Sequence, residues 1–388
     1  SYTNHNFFPG ETTLSIDETL PTSIIITDSS IITTNQNFSL DTTLNFSGNT
    51  VADELYFYVE DNFKITNRLK ANIGIHLGYY NTNRSSSIFK NNISFQPRAS
   101  VRYLLNDKWS IKASYAEMTQ NIHLLSNSSI GFPSDIWVPA TDTVPSQTSK
   151  QWAGNISTEF GNGEYELSLE GYYKTMNNLI TYKSGYSNLS STESWENSVE
   201  TGGIGESYGA ELFLQKKKGR TTGWIGYTLS WTNRKFDNIN FGEWYPYKFD
   251  RRHDFSLVVS HRFNEKWDAG LTWVYGTGNA ITFPQAIYLG TPNNGNDFVD
   301  VVESYGTRNS TRLDAYHRLD LGFNKTVKKE RITKILSFGA YNAYSRKNPF
   351  FAYLTYEAGN RVAKQVSLFP IIPSISVSYT HLRAHETS

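Results

Sequence analysis

Apolar and polar residues alternate one by one through most of this chain from about residue 50 onward. Ile73, Ile75 and Leu77 share one phase of the alternation, and Asn72 and His76 share the other. Alternation sustained over about eleven residues predicts a β-strand with one face toward an apolar medium and the other toward polar groups or water. Strands of soluble sandwiches are typically shorter, about 5–6 residues, whereas a strand that crosses a bilayer needs about 9–11.

The alternation predicts thirteen long strands, with residues 1–9 closing a strand that precedes them. The predicted segments are 50–64, 67–80, 93–105, 108–120, 149–160, 164–182, 204–216, 221–236, 248–263, 266–284, 313–327, 331–346 and 364–380. The connections between them alternate strictly between short and long. The short turns are Thr66-Asn67, Asn106-Asp107, Gly161-Asn162-Gly163, Lys218-Gly219, Asn264-Glu265 and Lys328-Lys329-Glu330. The long polar loops are near 81–92, 122–148, 183–203, 238–247, 285–311 and 347–363.

This rhythm is typical of outer-membrane barrels, whose periplasmic turns are short and whose extracellular loops are long. The sequence therefore predicts an all-β fold, a transmembrane antiparallel β-barrel. Aromatic residues beside the short turns fit an interfacial girdle, although β-strands are rich in aromatic residues in any case. The predicted girdle residues are Phe63, Trp109, Tyr165, Trp224, Phe263 and Trp267.

Composition narrows the function classes. The mean hydropathy is −0.48, and no run of about 18 apolar residues exists, which excludes a transmembrane helix. The 36 basic and 36 acidic residues balance, and no basic stripe forms, so nucleic acid is not expected as a partner. The absence of cysteine excludes a disulfide scaffold and thiolate metal sites.

Several short motifs follow one another in a specific order. They are Phe95–Arg98, Phe132–Pro139, Asp250–Asp254, Trp267–Tyr275, Gly276–Ala280, Tyr316–Leu321, Tyr341–Pro349 and Leu368–Ser374. In this order the chain resembles the C-terminal part of TonB-dependent outer-membrane receptors, particularly those of Bacteroidetes-type bacteria.

The resemblance implies a 22-stranded barrel closed by an N-terminal plug, a known class of large plugged transporters. About 13 of the 22 strands would lie in residues 1–380, and the plug and its TonB-contacting segment would lie outside this sequence. Residues 381–388 break the alternation after Tyr379-Thr380, where the family ends in an aromatic residue, so we expect this tail to be non-native. The implied location is the bacterial outer membrane.

The implied function is active, plug-gated import of a scarce solute: a siderophore, vitamin, glycan or peptide. The implied partners are outer-membrane lipid, the TonB energy-transducing complex, the small solute and a possible surface lipoprotein. A passive porin or an adhesive barrel is the alternative, and an enzyme is not expected. The resemblance implies no cofactor.

Aromatic residues in the long loops are the candidate ligand contacts, because Trp and Tyr combine apolar area with a hydrogen bond. They are Trp137, Trp195, Trp244, Tyr245, Tyr247, Phe350 and Phe351, all expected to be exposed; packing between loops would explain each of them equally well. Arg252, Arg318 and Asp320 have the inward phase and are candidates for bracing the plug, although a wet lumen tolerates charge without such a role.

The sequence contains no convincing catalytic or metal-binding group. His253 and Asp254 are adjacent on one strand and therefore face opposite sides. His317 has the phase of the lipid-facing residues. His253 and His261 are eight residues apart on a strand, roughly 26 Å, which is too far to share a metal ion.

Overall fold

A computed structural model describes residues 1–7, 11–27, 30–45, 50–82, 93–126, 135–184, 195–289, 301–329, 332–357 and 360–381. These residues form an all-β chain with two short 3-10 turns, at Trp195–Ser198 and Asn240–Gly242. No helix in these ranges is long and apolar enough to cross a membrane.

Fourteen antiparallel strands form one continuous wall in which each strand pairs with the next in chain order. They are β1 (Tyr2–Phe7), β2 (Thr50–Lys64), β3 (Leu69–Thr82), β4 (Ile93–Leu104), β5 (Trp109–Gln120), β6 (Gln147–Phe160), β7 (Tyr165–Tyr182), β8 (Val199–Lys216), β9 (Thr221–Lys235), β10 (His253–Arg262), β11 (Trp267–Gly276), β12 (Tyr316–Lys328), β13 (Ile332–Tyr341) and β14 (Ile372–His381). A fifteenth short strand, Tyr245–Pro246, pairs with β9 beside this path.

The thirteen predicted strands correspond to β2–β14, and β1 confirms the preceding strand. The largest errors are two. The prediction 266–284 runs too far, because β11 ends at Gly276, and the prediction 364–380 starts too early, because β14 begins only at Ile372. Residues 360–367 instead pair with 349–357 inside a loop. The long loops contain further paired segments that the sequence did not predict. They are Glu11–Thr27 with Ser30–Asn45, Ile122–Leu125 with Ile136–Pro139, Ala280–Ile281 with Thr311–Arg312, Pro284–Leu289 with Val301–Tyr305, and Pro349–Glu357 with Asn360–Ser367.

The two faces of the wall follow the predicted alternation. Phe57, Val59 and Ile73 are 63%, 60% and 53% exposed, as expected for an outward face that contacts lipid. The opposite, inward phase carries Asn72, whose amide donates to Glu60 and Asn62. Because neighbouring strands are antiparallel, all short turns lie at one end of the wall and all long loops at the other. We call these the turn end and the loop end.

Two aromatic rows mark the outward face. At the turn end, Phe160 and Tyr165 stack with ring centres 5.1 Å apart, and most of the predicted girdle has the outward phase. Trp224 is the exception: it is opposite Val258 in register and contacts Phe213, on the inward face. Toward the loop end an unpredicted row crosses five strands, each ring directly opposite the next. Its members are Tyr115, Trp152, Tyr173, Tyr208 and Trp231, with ring centres 5.3–6.4 Å apart.

The wall is open at both edges among the described residues. β1 pairs only with the first six residues of β2, Thr50 to Leu55, and β14 pairs only with β13. A total of 22 strands and a plug therefore stay predictions. The predicted non-native tail falls almost wholly on residues 382–388, outside the described part; its first residue, His381, is opposite Ile332 at the end of β14.

Candidate functional site

The loop end contains a cavity of about 530 Å³ on the inward face, lined in part by β1, β2 and the end of β5. Glu54 on β2 is its central polar group. The Glu54 carboxylate accepts hydrogen bonds from Tyr56 at 3.2 Å and from the Asn121 amide at 2.8 Å. The ring nitrogen Nε2 of His5 lies 3.2 Å from the other carboxylate oxygen. We call this the mouth cavity, and its polar lining is largely engaged within the chain.

Trp137 also lines the mouth cavity and is 55% exposed. It is held there by the hairpin Ile122–Leu125 with Ile136–Pro139, where it is opposite Leu124. The Tyr80 hydroxyl donates to the carbonyl oxygen of Ala140 at 2.8 Å, which fastens the end of this hairpin to the inward face of β3. Trp137 is therefore a large, accessible aromatic side chain on an anchored support.

The other candidate aromatic residues divide into exposed and buried groups. Trp244 and Phe350 are 43% and 42% exposed, whereas Tyr247 and Phe351 are half-buried. The expectation of exposure is wrong for Trp195 and Tyr245, which are both 3% exposed. Their rings pack in hydrophobic clusters between loops, which stabilises them more than exposure to water would.

Three such clusters pack the loops against the wall. The first contains Leu125, Val138, Val144, Ile180, Tyr182, Trp195 and Val199. The second contains Leu179, Phe236, Ile239 and Tyr245, and the third Ala52, Tyr80 and Ala140. Each cluster combines residues distant in sequence, so alternation along one strand could not reveal it.

Two arginines lie beside Tyr245 of the second cluster and beside Tyr247, which follows it in the same loop. The Arg234 guanidinium carbon is 3.4 Å from the centre of the Tyr247 ring, and that of Arg308 is 5.5 Å from the Tyr245 ring. Arg308 also donates to the Thr181 hydroxyl at 2.9 Å. Among the described residues neither guanidinium has a carboxylate partner, so this part of the loop end is electropositive. Neither arginine was a candidate from the sequence.

His123 is fully buried beneath the same loops. Its Nδ1 atom is 2.6 Å from the Gln147 amide nitrogen, which is the donor, so the ring proton is on Nε2. Burial, together with the nearby Arg234 charge, lowers the pKa of His123 from 6.5 to about 4.

Acidification is therefore expected to destabilise the hairpin that carries His123. An unfolded loop takes up a proton below pH 6.5 and the folded loop only near pH 4. The neutral ring thus favours the folded loop above pH 6.5, and up to about 3 kcal/mol is lost as the pH falls toward 4. Hydrogen exchange of residues 122–126, corrected for intrinsic rates, measures this loss. His123→Gln, which can still accept from Gln147 but does not titrate, should show no such dependence; equal pH dependence in both proteins would contradict the role of His123.

The Asp250–Asp254 motif fastens another loop. Asp250 is buried, and its carboxylate accepts from the backbone N–H of Thr232 at 2.7 Å. The same carboxylate forms ion pairs with Arg312 and with Arg252. Arg312 also donates to the carbonyl oxygens of Asp250 and Gly278. The motif thus joins the loop that follows β11 to the segment preceding β10.

The three charged residues predicted to brace a plug have partners within the chain. Arg252 pairs with Asp250, and its guanidinium carbon is 4.5 Å from the centre of the Trp231 ring. Arg318 donates to Asp320 at 2.9 Å. It donates also to the hydroxyls of Tyr316 and Tyr341. A role toward a plug stays a prediction for these residues, but their positions are fixed without one.

Two asparagines of the Tyr341–Pro349 motif hold neighbouring segments together through hydrogen bonds. Asn342 has a positive φ of 51°, and its amide donates to the carbonyl oxygens of Arg346 and Phe369. Its backbone N–H donates to Asp320. Asn348 accepts from the backbone N–H of His317 and donates to the carbonyl of the same residue. The Asn348 side chain thus makes the two hydrogen bonds that the backbone of a neighbouring strand would make with the first residues of β12.

The histidines that raised the question of catalysis lie on the outward face. His253 is 2.8 Å from the Tyr227 hydroxyl, and His317 is 2.8 Å from that of Tyr344. No group of three or more metal-ligating side chains occurs within the described ranges. Within the described ranges the loop end offers aromatic faces and guanidinium groups, and these ranges contain no pair of side chains placed for catalysis.

Comparisons with known proteins agree with this architecture. A family model described as "TonB dependent receptor-like, beta-barrel" matches residues 3–343. A search among curated proteins finds no match. The solved structures with a similar fold include three receptors. The ferric yersiniabactin uptake receptor FyuA from Yersinia pestis has a TM-score of 0.55 at 13% identity, covering 86% of this chain and 46% of that one. The ferric-catecholate import receptor Fiu from E. coli K12 has a TM-score of 0.54 at 13% identity, covering 88% and 46%. The ferripyoverdine receptor of Pseudomonas aeruginosa has a TM-score of 0.53 at 15% identity, covering 86% and 39%. The chain thus spans less than half the length of these structures.

Proposed function

The chain belongs to the TonB dependent receptor-like β-barrel family, and from this premise we propose that its protein imports a scarce solute actively across the bacterial outer membrane. Family membership places the chain in that membrane and makes it part of a receptor rather than an enzyme. In the proposed mechanism the solute binds at the loop end, and energy delivered by the TonB complex displaces a plug from the lumen. The chain would form the C-terminal part of the barrel in a Bacteroidetes-type receptor.

The observation that supports solute binding most directly is the mouth cavity. It lies on the inward face at the loop end, where an imported solute must enter, and it displays Trp137 on an anchored hairpin. A passive porin would need an open lumen and no plug. An adhesive barrel would need an outward binding surface, and neither alternative requires an anchored aromatic group facing the lumen.

The chemical class of the solute is a broader proposal. The titles of the similar structures name ferric yersiniabactin and ferripyoverdine for those proteins, which keeps a siderophore among the candidates beside a vitamin, glycan or peptide. The exposed Trp137 favours a solute with a flat or sugar-like face, and the half-buried guanidinium groups of Arg234 and Arg308 favour an anionic group that reaches between the loops. A surface lipoprotein could cover the loop end during uptake.

Growth under single-nutrient limitation tests the import proposal. Three strains are compared: wild type, a deletion of the receptor gene and a deletion of TonB function. We expect one nutrient whose limitation slows both deletion strains equally, with growth restored by the full-length receptor gene. Growth that needs the receptor but not TonB would support a porin instead. Unchanged growth on every nutrient with lost attachment to surfaces would support an adhesin.

Truncating three aromatic side chains of the long loops should weaken solute binding. Aromatic anchors commonly contribute more than about 1 kcal/mol each, or roughly fivefold in Kd. In the full-length receptor, the triple variant Trp137→Ala, Trp244→Ala, Tyr247→Ala is expected to raise the Kd for the solute identified by growth well over tenfold, beyond the roughly fivefold of one anchor. Trp109→Ala, an aromatic truncation at the turn end, is the matched control. If the triple variant reaches the cell surface in normal amounts and binds the solute as the wild type does, these residues only pack the loops and do not contact the solute.

A further inference from the structure

Four cations stand side by side on the inward face near the turn end. Lys64 is directly opposite Lys70, Lys70 is opposite Arg102, and Arg102 is opposite Lys112, across β2, β3, β4 and β5. Directly opposed residues of antiparallel strands share a face, with Cβ atoms about 4.5–5.5 Å apart. Opposed like charges destabilise a sheet. This basic row, Lys64–Lys70–Arg102–Lys112, therefore weakens the wall that carries it.

The basic row has no counter-charge within the described part of the chain. None of its four side chains forms an ion pair or a side-chain hydrogen bond there, and all four are exposed. Other lysines at the same end are paired: the Lys217 ammonium is 2.8 Å from Glu159 and 2.6 Å from Glu166. A cavity of about 360 Å³ lies against Lys64, Lys70 and Arg102. The basic row thus has unpaired positive charge and an adjoining cavity, so it can bind an anionic group from outside the wall.

The sign of the charge reverses farther along the same register. Lys112 is opposite Asn155, Asn155 is opposite Glu170, and Glu170 is opposite Glu211. Among the described residues neither glutamate has an ion-pair partner. The inward face therefore carries a basic sector on β2–β5 and an acidic pair, Glu170–Glu211, on β7 and β8, separated by one neutral residue.

We propose that the plug expected in the lumen presents carboxylates to the basic row and arginine or lysine side chains to the acidic pair. This rests on the proposed function, since a plug-gated importer is what gives the lumen a protein occupant. Neighbouring sectors of opposite sign select one rotational orientation, because a rotated occupant would place like charges together. A small anionic solute would match the basic row but not the acidic pair.

Zero-length cross-linking of the full-length receptor tests the contact directly. A carbodiimide joins an amine to a carboxylate only when the two are in contact, and mass spectrometry identifies the linked peptides. We expect Lys70 and Lys112 to link to Asp or Glu outside the barrel wall, while the Lys217 link to Glu159 or Glu166 serves as the internal positive control. Lys108 and Lys266, in the short turns, are the matched amines that should not link to the same segment.

The double variant Lys70→Arg, Lys112→Arg sharpens this test, because it keeps both charges but removes both reactive amines. The cross-links from positions 70 and 112 should vanish, with Lys64 the one reactive amine left in the row, while solute uptake stays normal. Links from Lys70 and Lys112 only to wall carboxylates, or no links while Lys217 reacts, would overturn the proposal.

Charge reversal supplies a second measurement that does not require an identified solute. Lys70→Glu with Arg102→Glu is expected to loosen the occupant and to lower the inhibitory concentration of vancomycin, a large hydrophilic antibiotic, by about tenfold, because like-charge juxtaposition is costly. Glu170→Lys with Glu211→Lys should act in the same way, and Lys108→Glu with Lys266→Glu should not.

The outcomes separate the two proposals. TonB-dependent uptake without cross-links would refute the charge contact alone, and cross-links in a protein that imports nothing would refute the import function alone. Should the reversed variants fail to reach the membrane, the cross-linking of the unsubstituted receptor still decides.

Discussion

Replacing Ile73 by arginine is expected to destabilise the membrane-embedded wall by about 2–4 kcal/mol, whereas Asn72→Arg should cost little. Ile73 is a mid-strand residue of β3 with the outward phase and is 53% exposed, so an arginine there must enter the lipid or distort the bilayer. Asn72 is its chain neighbour, but it faces the polar lumen, where it donates to Glu60 and Asn62. The large difference between adjacent positions follows from the strand period of two residues.

Urea unfolding of the full-length receptor in lipid vesicles measures the two penalties. The wild type and both variants are compared in bilayers of the same thickness, with Asn72→Arg as the matched control for added charge and volume. Equal penalties at the two sites would mean that the assigned inward and outward faces are wrong.

Asp250→Ala is expected to destabilise the loop end by about 3 kcal/mol, near the lower end of the range for breaking a buried ion pair. The carboxylate is 1% exposed and is shared by Arg312 and Arg252, which are 28% and 32% exposed. Solvent therefore screens the arginines in part, which keeps the cost below that of a fully buried triad. The variant also leaves the backbone N–H of Thr232 without its acceptor.

The loss should be local to the segments that Asp250 joins. Faster hydrogen exchange is expected at residues 276–282 and 311–316, with unchanged exchange in β3 and β4. Asp254→Ala is the control, since Asp254 lies on the same motif but is 45% exposed, in a 3.6 Å contact with Arg251. Equal effects of the two substitutions would contradict the special role of Asp250.

The long wall strands could be predicted from sequence because their signal is local. A strand between lipid and lumen repeats the same alternation at every step, and Ile73 or Asn72 shows its phase within a few neighbours. The paired segments inside the loops gave no such signal, because a strand pair within a loop does not lie between two uniform media. The prediction of 364–380 as one strand failed because residues 364–367 belong to a segment that pairs within its own loop, which alternation along one strand does not show.

The functional residues were less predictable than the wall. An aromatic residue in a polar loop has the same sequence signal whether it is displayed, as Trp137 is, or packed between loops, as Trp195 is. The role of a charged residue is equally hard to predict from the sequence. Arg318 and Asp320 have the inward phase but satisfy each other, whereas Lys70 and Arg102 stand unpaired, and only the register between strands distinguishes these cases. Asn342 and Asn348 belonged to a recognisable motif, yet their hydrogen bonds explain it as loop anchorage.

The shared clusters at the loop end limit how such a receptor can be re-engineered or can diverge. Trp195 from one loop fills the same core as Val138 and Val144 from another, and Gln147 supplies the hydrogen bond that His123 needs. A chimera that receives a single foreign loop would keep only one side of these buried contacts. It would also leave buried polar atoms without hydrogen-bond partners. Transplanting specificity from one relative to another should therefore require residues 121–147 and 179–199 to be exchanged as a unit, and substitutions in these two stretches should be inherited together.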